Sequence, residues 1–359
     1  NKIDEAGEYN ENKKIKTTDY LGKNTTITYS KTSNEYTTTK SGEDGSLSVL
    51  ISDALGRPKK SGQKNIDGTW SYKTVEYDYL GRKFRESEPF TSSPSLWTTY
   101  TYDDYSRLKT QTYPTGVIST LNYSNTTVSG TVDYADGGSP KFSSSTKNAN
   151  GHVISSSDNG GVINFQYFAD GNLKSSNYSG TIVSMEYDEW GRKKKLNDPS
   201  AGEYTYTYNA IGELLTETTP NGTTTNTYDD FGNIDYSTIV GTNTNSKTDY
   251  TYDNTTKLLT NLKYEDFNNG GAYDEYEYFY DSFKRLFKTT EEKVGTTTSS
   301  FKRETTFDAF GRVEREYYEA NTAGKQSAKW TKNTYKNGYH WQILDDTSNQ
   351  ILWQSNTVN

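Results

Sequence analysis

From Glu203 to Tyr208 polar and aromatic residues alternate without a break: Tyr204, Tyr206 and Tyr208 interleave with Glu203, Thr205 and Thr207. A period of two puts one set on each face of an extended chain. The segment therefore predicts a β-strand with a tyrosine row on one face and Glu and Thr on the other. Tyr276, Tyr278 and Tyr280 repeat the arrangement. No segment carries apolar residues at 3.6-residue spacing over three turns, so the chain reads as all-β. The strands are separated by turn signals. In Thr219-Pro220-Asn221-Gly222-Thr223 and Tyr113-Pro114-Thr115-Gly116-Val117 a Pro is followed two residues on by Gly, the chemistry of a tight reversal.

A second punctuation mark recurs. Tyr77-Asp78-Tyr79-Leu80-Gly81-Arg82 returns as Tyr187-Asp188-Glu189-Trp190-Gly191-Arg192, as Tyr228-Asp229-Asp230-Phe231-Gly232-Asn233 and as Phe307-Asp308-Ala309-Phe310-Gly311-Arg312. Weaker copies stand at Ser52–Arg57, Phe168–Asn172 and Tyr208–Glu213, and Tyr102–Arg107, Tyr252-Asp253 and Tyr280-Asp281 lack the glycine. Gly151, Gly171, Gly191, Gly212 and Gly232 are 20, 20, 21 and 20 residues apart. One such period holds two short strands and two turns. The turn chemistry assigns each position a part. The Tyr ends a strand and packs on the sheet, and the Asp carboxylate accepts from backbone N–H groups two residues on. The apolar residue before Gly closes over the sheet edge, and Gly supplies a positive φ. The basic residue that follows is expected to pair with an Asp of a neighbouring repeat.

Composition narrows the fold. Only 30% of the 359 residues are apolar, and 32 of them are Tyr, against one Met and no Cys. Such a chain has no large aliphatic core, yet its Tyr and Thr favour half-buried strands over disorder. An extended one-layer sheet covered by tyrosine rings follows. The net charge of −8, with both signs interspersed, is unsuited to nucleic acid, which needs a basic face. No apolar run approaches the length of a membrane span. Without Cys there are no disulfides and no thiolate metal sites. The chain opens at Asn1, with no signal peptide, and reads as part of something longer.

With these motifs the sequence resembles the YD-repeat, or Rhs, family, whose signature is Tyr-Asp-x-x-Gly-Arg-Leu followed by a turn with Pro and Gly. The resemblance runs from Asp19-Tyr20-Leu21-Gly22-Lys23 to Gly311-Arg312-Val313. It implies tandem β-hairpins joined into one curved or spiralling antiparallel sheet, the wall of a hollow shell. In bacterial toxins of the Rhs type and in related Tc subunits the shell holds a toxic polypeptide; in animal teneurins a similar barrel serves adhesion. The lack of Cys and the Asn, Lys, Thr and Tyr content look bacterial. The family's motif for aspartate-dependent self-cleavage has no counterpart here. The one Asp-Pro, at Asp198-Pro199-Ser200-Ala201-Gly202, reads as an ordinary turn, and no toxin domain is visible.

Enzymatic readings are weaker. The carboxylate pairs Asp103-Asp104, Asp229-Asp230 and Asp345-Asp346 recur at the same place in successive repeats, as turn residues do. Glycoside hydrolysis needs two carboxylates facing each other across one bond. His152 and His340 fit no metal spacing, and no Gly-x-Ser-x-Gly elbow is present. The glycine-rich stretches at Asn268-Asn269-Gly270-Gly271 and Asp136-Gly137-Gly138 lack the Lys-Ser/Thr of a phosphate loop. The calcium nonapeptide is absent as well. No catalytic, cofactor or metal residues are assigned.

The expectation is a non-catalytic scaffold, secreted or at a bacterial cell surface. Residues 1–315 form the repeat array, and residues 316–359 are divergent repeats or a cap containing Trp330, Trp341 and Trp353. Its motif residues are Tyr77, Asp78, Gly81, Arg82, Tyr187, Asp188, Gly191, Arg192, Tyr228, Asp229, Gly232, Phe307, Asp308, Gly311 and Arg312. The expected partners are the rest of a longer chain or an encapsulated toxin, with secretion machinery as a further one. The alternative is an adhesin whose exposed aromatic rows bind glycans or neighbouring cells. Twelve or so hairpins are too few to close a shell, so an open curved sheet or a section of a larger assembly is expected.

Overall fold

The computed structural model describes residues 6–10, 13–322 and 325–355. Their 31 strands form one antiparallel sheet, each strand pairing with its neighbours in sequence from Ala6–Asn10 to Ile351–Gln354. The strands Val313–Thr322, Lys325–Lys336, Tyr339–Asp345 and Ile351–Gln354 continue the same ladder. The described residues include no α-helix, only a 3-10 turn at Phe267–Asn269.

A meander puts successive hairpin turns on alternate rims of the sheet. The Tyr-Asp turns from Asp53–Arg57 to Asp308–Arg312 share one rim, hereafter the motif rim. Turns such as Asp198–Gly202 and Thr219–Gly222 share the other, the plain rim. Three strands separate Asp19–Lys23 from Asp53–Arg57, so this first copy of the motif lies on the plain rim, opposite the rest.

The two rims differ in register. At the motif rim the pairing slips beside the motif tyrosine, between Glu76 and Tyr77, Glu186 and Tyr187, and Thr227 and Tyr228. Plain-rim hairpins such as Ser175–Ser184, Lys195–Thr205 and Thr216–Thr225 pair without a slip. A bulge bends its strand and raises the local twist. Bulges at most motif-rim turns, against one among the described plain-rim hairpins, between Ile343 and Leu344, therefore bend the ribbon in one sense.

There is no conventional core. Ile27 and Ile66 are the buried apolar residues among those described, and the accessible surface is 22648 Å². A compact 40.6 kDa chain would expose roughly 14,600 Å². The excess is that of a single layer with two accessible faces.

No ladder bond joins Ile351–Gln354 to Ala6–Asn10, so the sheet is open in its hydrogen bonding, yet the two rims meet. Tyr20 packs edge-on to Phe283 with ring centroids 5.9 Å apart. The Lys23 ammonium lies 4.9 Å from the Phe310 ring centroid. Arg312 reaches Asp44 at 3.4 Å, and Asn337 Nδ2 donates to the Asn65 carbonyl at 2.9 Å. Twenty-five strands, from Asn24–Lys31 to Thr298–Phe307, lie between the turn at Asp19–Lys23 and the turn at Asp308–Arg312. The ribbon thus winds through one full turn. At the usual ~4.8 Å between strands this gives a wall about 40 Å across.

Candidate functional site

The chemistry of the chain is concentrated in the turns of the motif rim, and one unit shows how they are built. Tyr77 ends the strand Trp70–Tyr77. Asp78 Oδ1 accepts from Leu80 N at 3.0 Å and Arg82 N at 2.9 Å, and Asp78 Oδ2 accepts from Arg82 Nε at 2.8 Å. Gly81 N donates to the Asp78 carbonyl at 2.9 Å with Gly81 at φ 82°, a conformation that a Cβ would strain. One carboxylate thus closes the turn and fixes the arginine.

The arginine was expected to meet an Asp of a neighbouring repeat. It pairs instead with the Asp of its own turn and turns its flat face to the next repeat. The Arg82 guanidinium carbon is 4.5 Å from the Tyr102 ring centroid, and Tyr102 Oη donates to the Lys83 carbonyl at 2.8 Å. The reason is reach: a four-residue offset brings the fork onto the carboxylate bidentately. The guanidinium face is then left for the adjacent ring.

The same unit recurs along the rim. Arg192 is held by Asp188 at 2.7 Å and lies 4.6 Å from the Tyr208 centroid, with Tyr208 Oη on the Lys193 carbonyl at 2.8 Å. Tyr187 Oη donates to the Leu173 carbonyl and Tyr228 Oη to the Leu214 carbonyl. Asn233 takes the arginine's place at Asp229, donating to Oδ2 at 2.9 Å, with Gly232 at φ 80°. Phe307 receives Arg285 at 4.1 Å without a hydroxyl to donate, and Arg312 sits on Asp308 and Tyr335. His152 stacks 4.8 Å from Tyr167 in the arginine's position, a part that its spacing in the sequence does not reveal.

The carboxylates of these turns are held in the charged form. Burial works against the charge on Asp78, but the hydrogen bonds from the Arg82 side chain and backbone outweigh it, and its pKa lies below the usual value. Asp188 is lowered in the same way: the backbone and side-chain bonds from Arg192 outweigh its burial. Asp103 and Asp229, each half of a sequence carboxylate pair, spend their oxygens on Arg107 and Asn233. Asp345 closes a plain-rim turn through Ser348 and Thr347. Among the described residues no three His, Cys, Asp or Glu side chains are grouped to hold a metal, and no helix is long and apolar enough to cross a membrane.

The apolar residue before the motif glycine does not close over the sheet edge. Leu55, Leu80, Trp190, Ile211 and Phe231 all project from the rim into solvent, because the bulged turn points this side chain away from both strands. Phe310 and, in the first copy of the motif, Leu21 are exceptions, both half-buried where the two rims meet. Tyr20, Leu21, Asp44 and Asn337, which make that junction, carry no sequence signal that sets them apart from other turn residues.

No family model and no curated protein matches the chain. Three solved structures are similar to it in part. The TcdB2-TccC3-TEV structure covers 95% of this chain and 22% of its own at 14% identity, with a TM-score of 0.42. TcdB2-TccC3-Cdc42 covers 94% and 24% at 14% identity, with a TM-score of 0.43. TcdB2-TccC3 covers 97% and 27% at 11% identity, with a TM-score of 0.42. The chain spans about a quarter of the length of those chains.

Proposed function

We propose that this chain is a section of the wall of a hollow protein shell. In this reading it is non-catalytic, secreted or at a cell surface, and encloses a cargo polypeptide such as a toxin. The observation that carries the reading is the meeting of the two rims after twenty-three to twenty-five strands. An eight-stranded barrel is just wide enough for side chains to fill, and barrels of sixteen or more strands hold a channel or a plug. A wall about 40 Å across leaves an interior that its own side chains do not fill.

The motif-rim chemistry supports a mechanical part. Asp, Arg and Tyr of successive repeats are consumed by one another, which leaves them unavailable as acids, bases or nucleophiles. The rings of Tyr102 and Tyr208 lie beneath guanidinium groups, so they are poor platforms for a sugar. The work of such a wall is steric: it keeps a polypeptide inside away from proteases and from other chains.

Small-angle scattering of the chain in solution tests this. A distance distribution fitted by a hollow body about 40 Å wide is the expected result. A flat ribbon or a solid rod would remove the basis for encapsulation.

A further inference from the structure

No arginine stands between Arg107 and Arg192, so three successive motif-rim turns lack the carboxylate–guanidinium fork. The turn after Ile118–Ser124 has no aspartate and places Asn125 at φ 51°. In the next, the neutral Asn148 caps the turn and His152 lies on Tyr167. In the third, Phe168 holds the aspartate's position, and Asp170 is bonded to Asn172. Among the described residues no ion pair includes any residue from 108 to 187, the nearest being those of Arg107 and Arg192.

The faces are thin there too. On the tyrosine face the row that starts at Tyr123 runs on through Val128, Ser145 and Ser156. Beside it Gly130, Ser143 and Asp158 stand in line, and on the opposite face Ser129, Ser144 and Ser157 do the same. The strands Thr127–Asp133, Lys141–Lys147 and Val153–Asp158 thus meet largely through small hydroxyls. Thr127 and Thr146 join theirs at 2.8 Å, but the aromatic and charged cross-strand pairs that stabilise a sheet are missing. Further along they return: Met185, Leu196 and Tyr204 form one row, and Tyr250, Leu262 and Tyr276 another. The turns at Asn209, Asp229 and Asp253 also lack arginine. Around them, however, Lys195 pairs with Glu203 at 2.8 Å, Lys263 pairs with Glu265 at 2.9 Å, and Lys257 lies 3.6 Å from the Phe231 centroid.

We propose that residues 127–158 are a compliant panel of the sheet, whose three strands open together as one local unit while the clasped strands on either side stay paired. Local stability follows local contacts, and here neither the rim nor the faces supply them. The clasps at Arg107 and Arg192 bound the opening. Its use as the yielding place of a wall rests on the reading above. The opening itself does not, and it is measured on the chain whether or not the chain is hollow.

Amide hydrogen exchange of the folded chain, with urea added below the unfolding transition, tests this. Amides of the three strands are expected to exchange at least about tenfold faster than those of Asn245–Tyr252 and Leu259–Asp266, with one shared urea dependence. Asn148→Asp with His152→Arg installs the missing clasp around Gly151, which already sits at φ 86°. It is expected to slow exchange in the three strands about fivefold and to leave Asn245–Tyr252 unchanged. Ser145→Val with Ser156→Val, directly opposed on the tyrosine face, is expected to do likewise. Equal exchange in the panel and in the two reference strands of the unaltered chain would overturn the proposal, whether or not either variant folds. So would a clasp that slows every strand alike, or two folded variants that leave the panel as fast as before.

Discussion

The guanidinium carbon of Arg192 lies 4.6 Å from the ring centroid of Tyr208, one repeat further along the chain. Behind it the same arginine is forked onto Asp188, and ahead of it the Tyr208 hydroxyl is bonded to the Lys193 carbonyl. This repeat is thus tied to the next by a ring under a guanidinium and by one hydrogen bond, as Arg82 and Tyr102 tie another pair. Stability in such an array is a sum of repeat and neighbour contributions, and damage to one tie is expected to loosen its locality first.

The stack itself is measurable by a double-mutant cycle. Arg192→Ala and Tyr208→Leu are expected to couple by about 0.5–1 kcal/mol. Urea unfolding of the four proteins gives the number. Additive losses would mean that the ring merely covers the arginine.

Removing only the Tyr208 hydroxyl, in Tyr208→Phe, is expected to cost about 0.5–1.5 kcal/mol. Its 2.8 Å bond to the Lys193 carbonyl is lost while the ring remains. Amide hydrogen exchange is expected to accelerate in the strands Lys193–Asp198 and Gly202–Tyr208 and to stay unchanged in strands far along the ribbon. Uniform acceleration along the whole chain would contradict a neighbour-by-neighbour array.

Two glycines with the same backbone conformation are expected to respond differently. Gly191 and Gly311 sit at φ 76° and φ 75°, so alanine at either costs about 1 kcal/mol in backbone strain. Beyond that, a Cβ at Gly191 would meet only Asn172 Nδ2, at 3.5 Å, whereas at Gly311 it would meet Leu21 Cδ1 at 2.7 Å. Gly311→Ala is expected to lower the melting temperature more, and to enlarge the radius of gyration as the rims part. Equal effects would mean that the rim contact contributes nothing.

Acid should weaken the fold through its turns. Asp78 and Asp188 are lowered because hydrogen bonds from Arg82 and Arg192 outweigh their burial. Asp345 is lowered from its ordinary 3.8 to about 2, first by the backbone and side chain of Ser348 and then by Lys329. A carboxyl depressed in the folded state contributes stability that is fully present above the ordinary value and is lost as pH falls through the folded one. Stability is therefore expected to hold above pH about 4 and to fall between about 4 and 2. Denaturation followed by circular dichroism at each pH measures this. Asp188→Asn is expected to shallow the decline, and a flat profile down to pH 2 would refute the assignment.

The sequence by itself determined the strands, the turns and the residues that build them. A period of two along Tyr204–Tyr208 and a glycine every twenty or so residues are local properties. An Asp that caps its own turn, and a Gly at positive φ after it, need only neighbours in sequence. The direction of Arg82 was not legible, because two acceptors, its own Asp and a neighbour's, were within chemical reason. Only the four-residue geometry of the bulged turn chose between them. The outward aim of Leu80, Trp190 and Phe231 was hidden for the same reason: an apolar residue in a pattern reads as covered, and the turn decides which way it points. The meeting of Tyr20 with Phe283 and of Asp44 with Arg312 lay further out of reach. It depends on the bend per hairpin summed over twenty-three strands, a small angle that no single repeat displays. Tertiary structure alone decided where the ribbon returned to itself, and so which turns of its two rims meet.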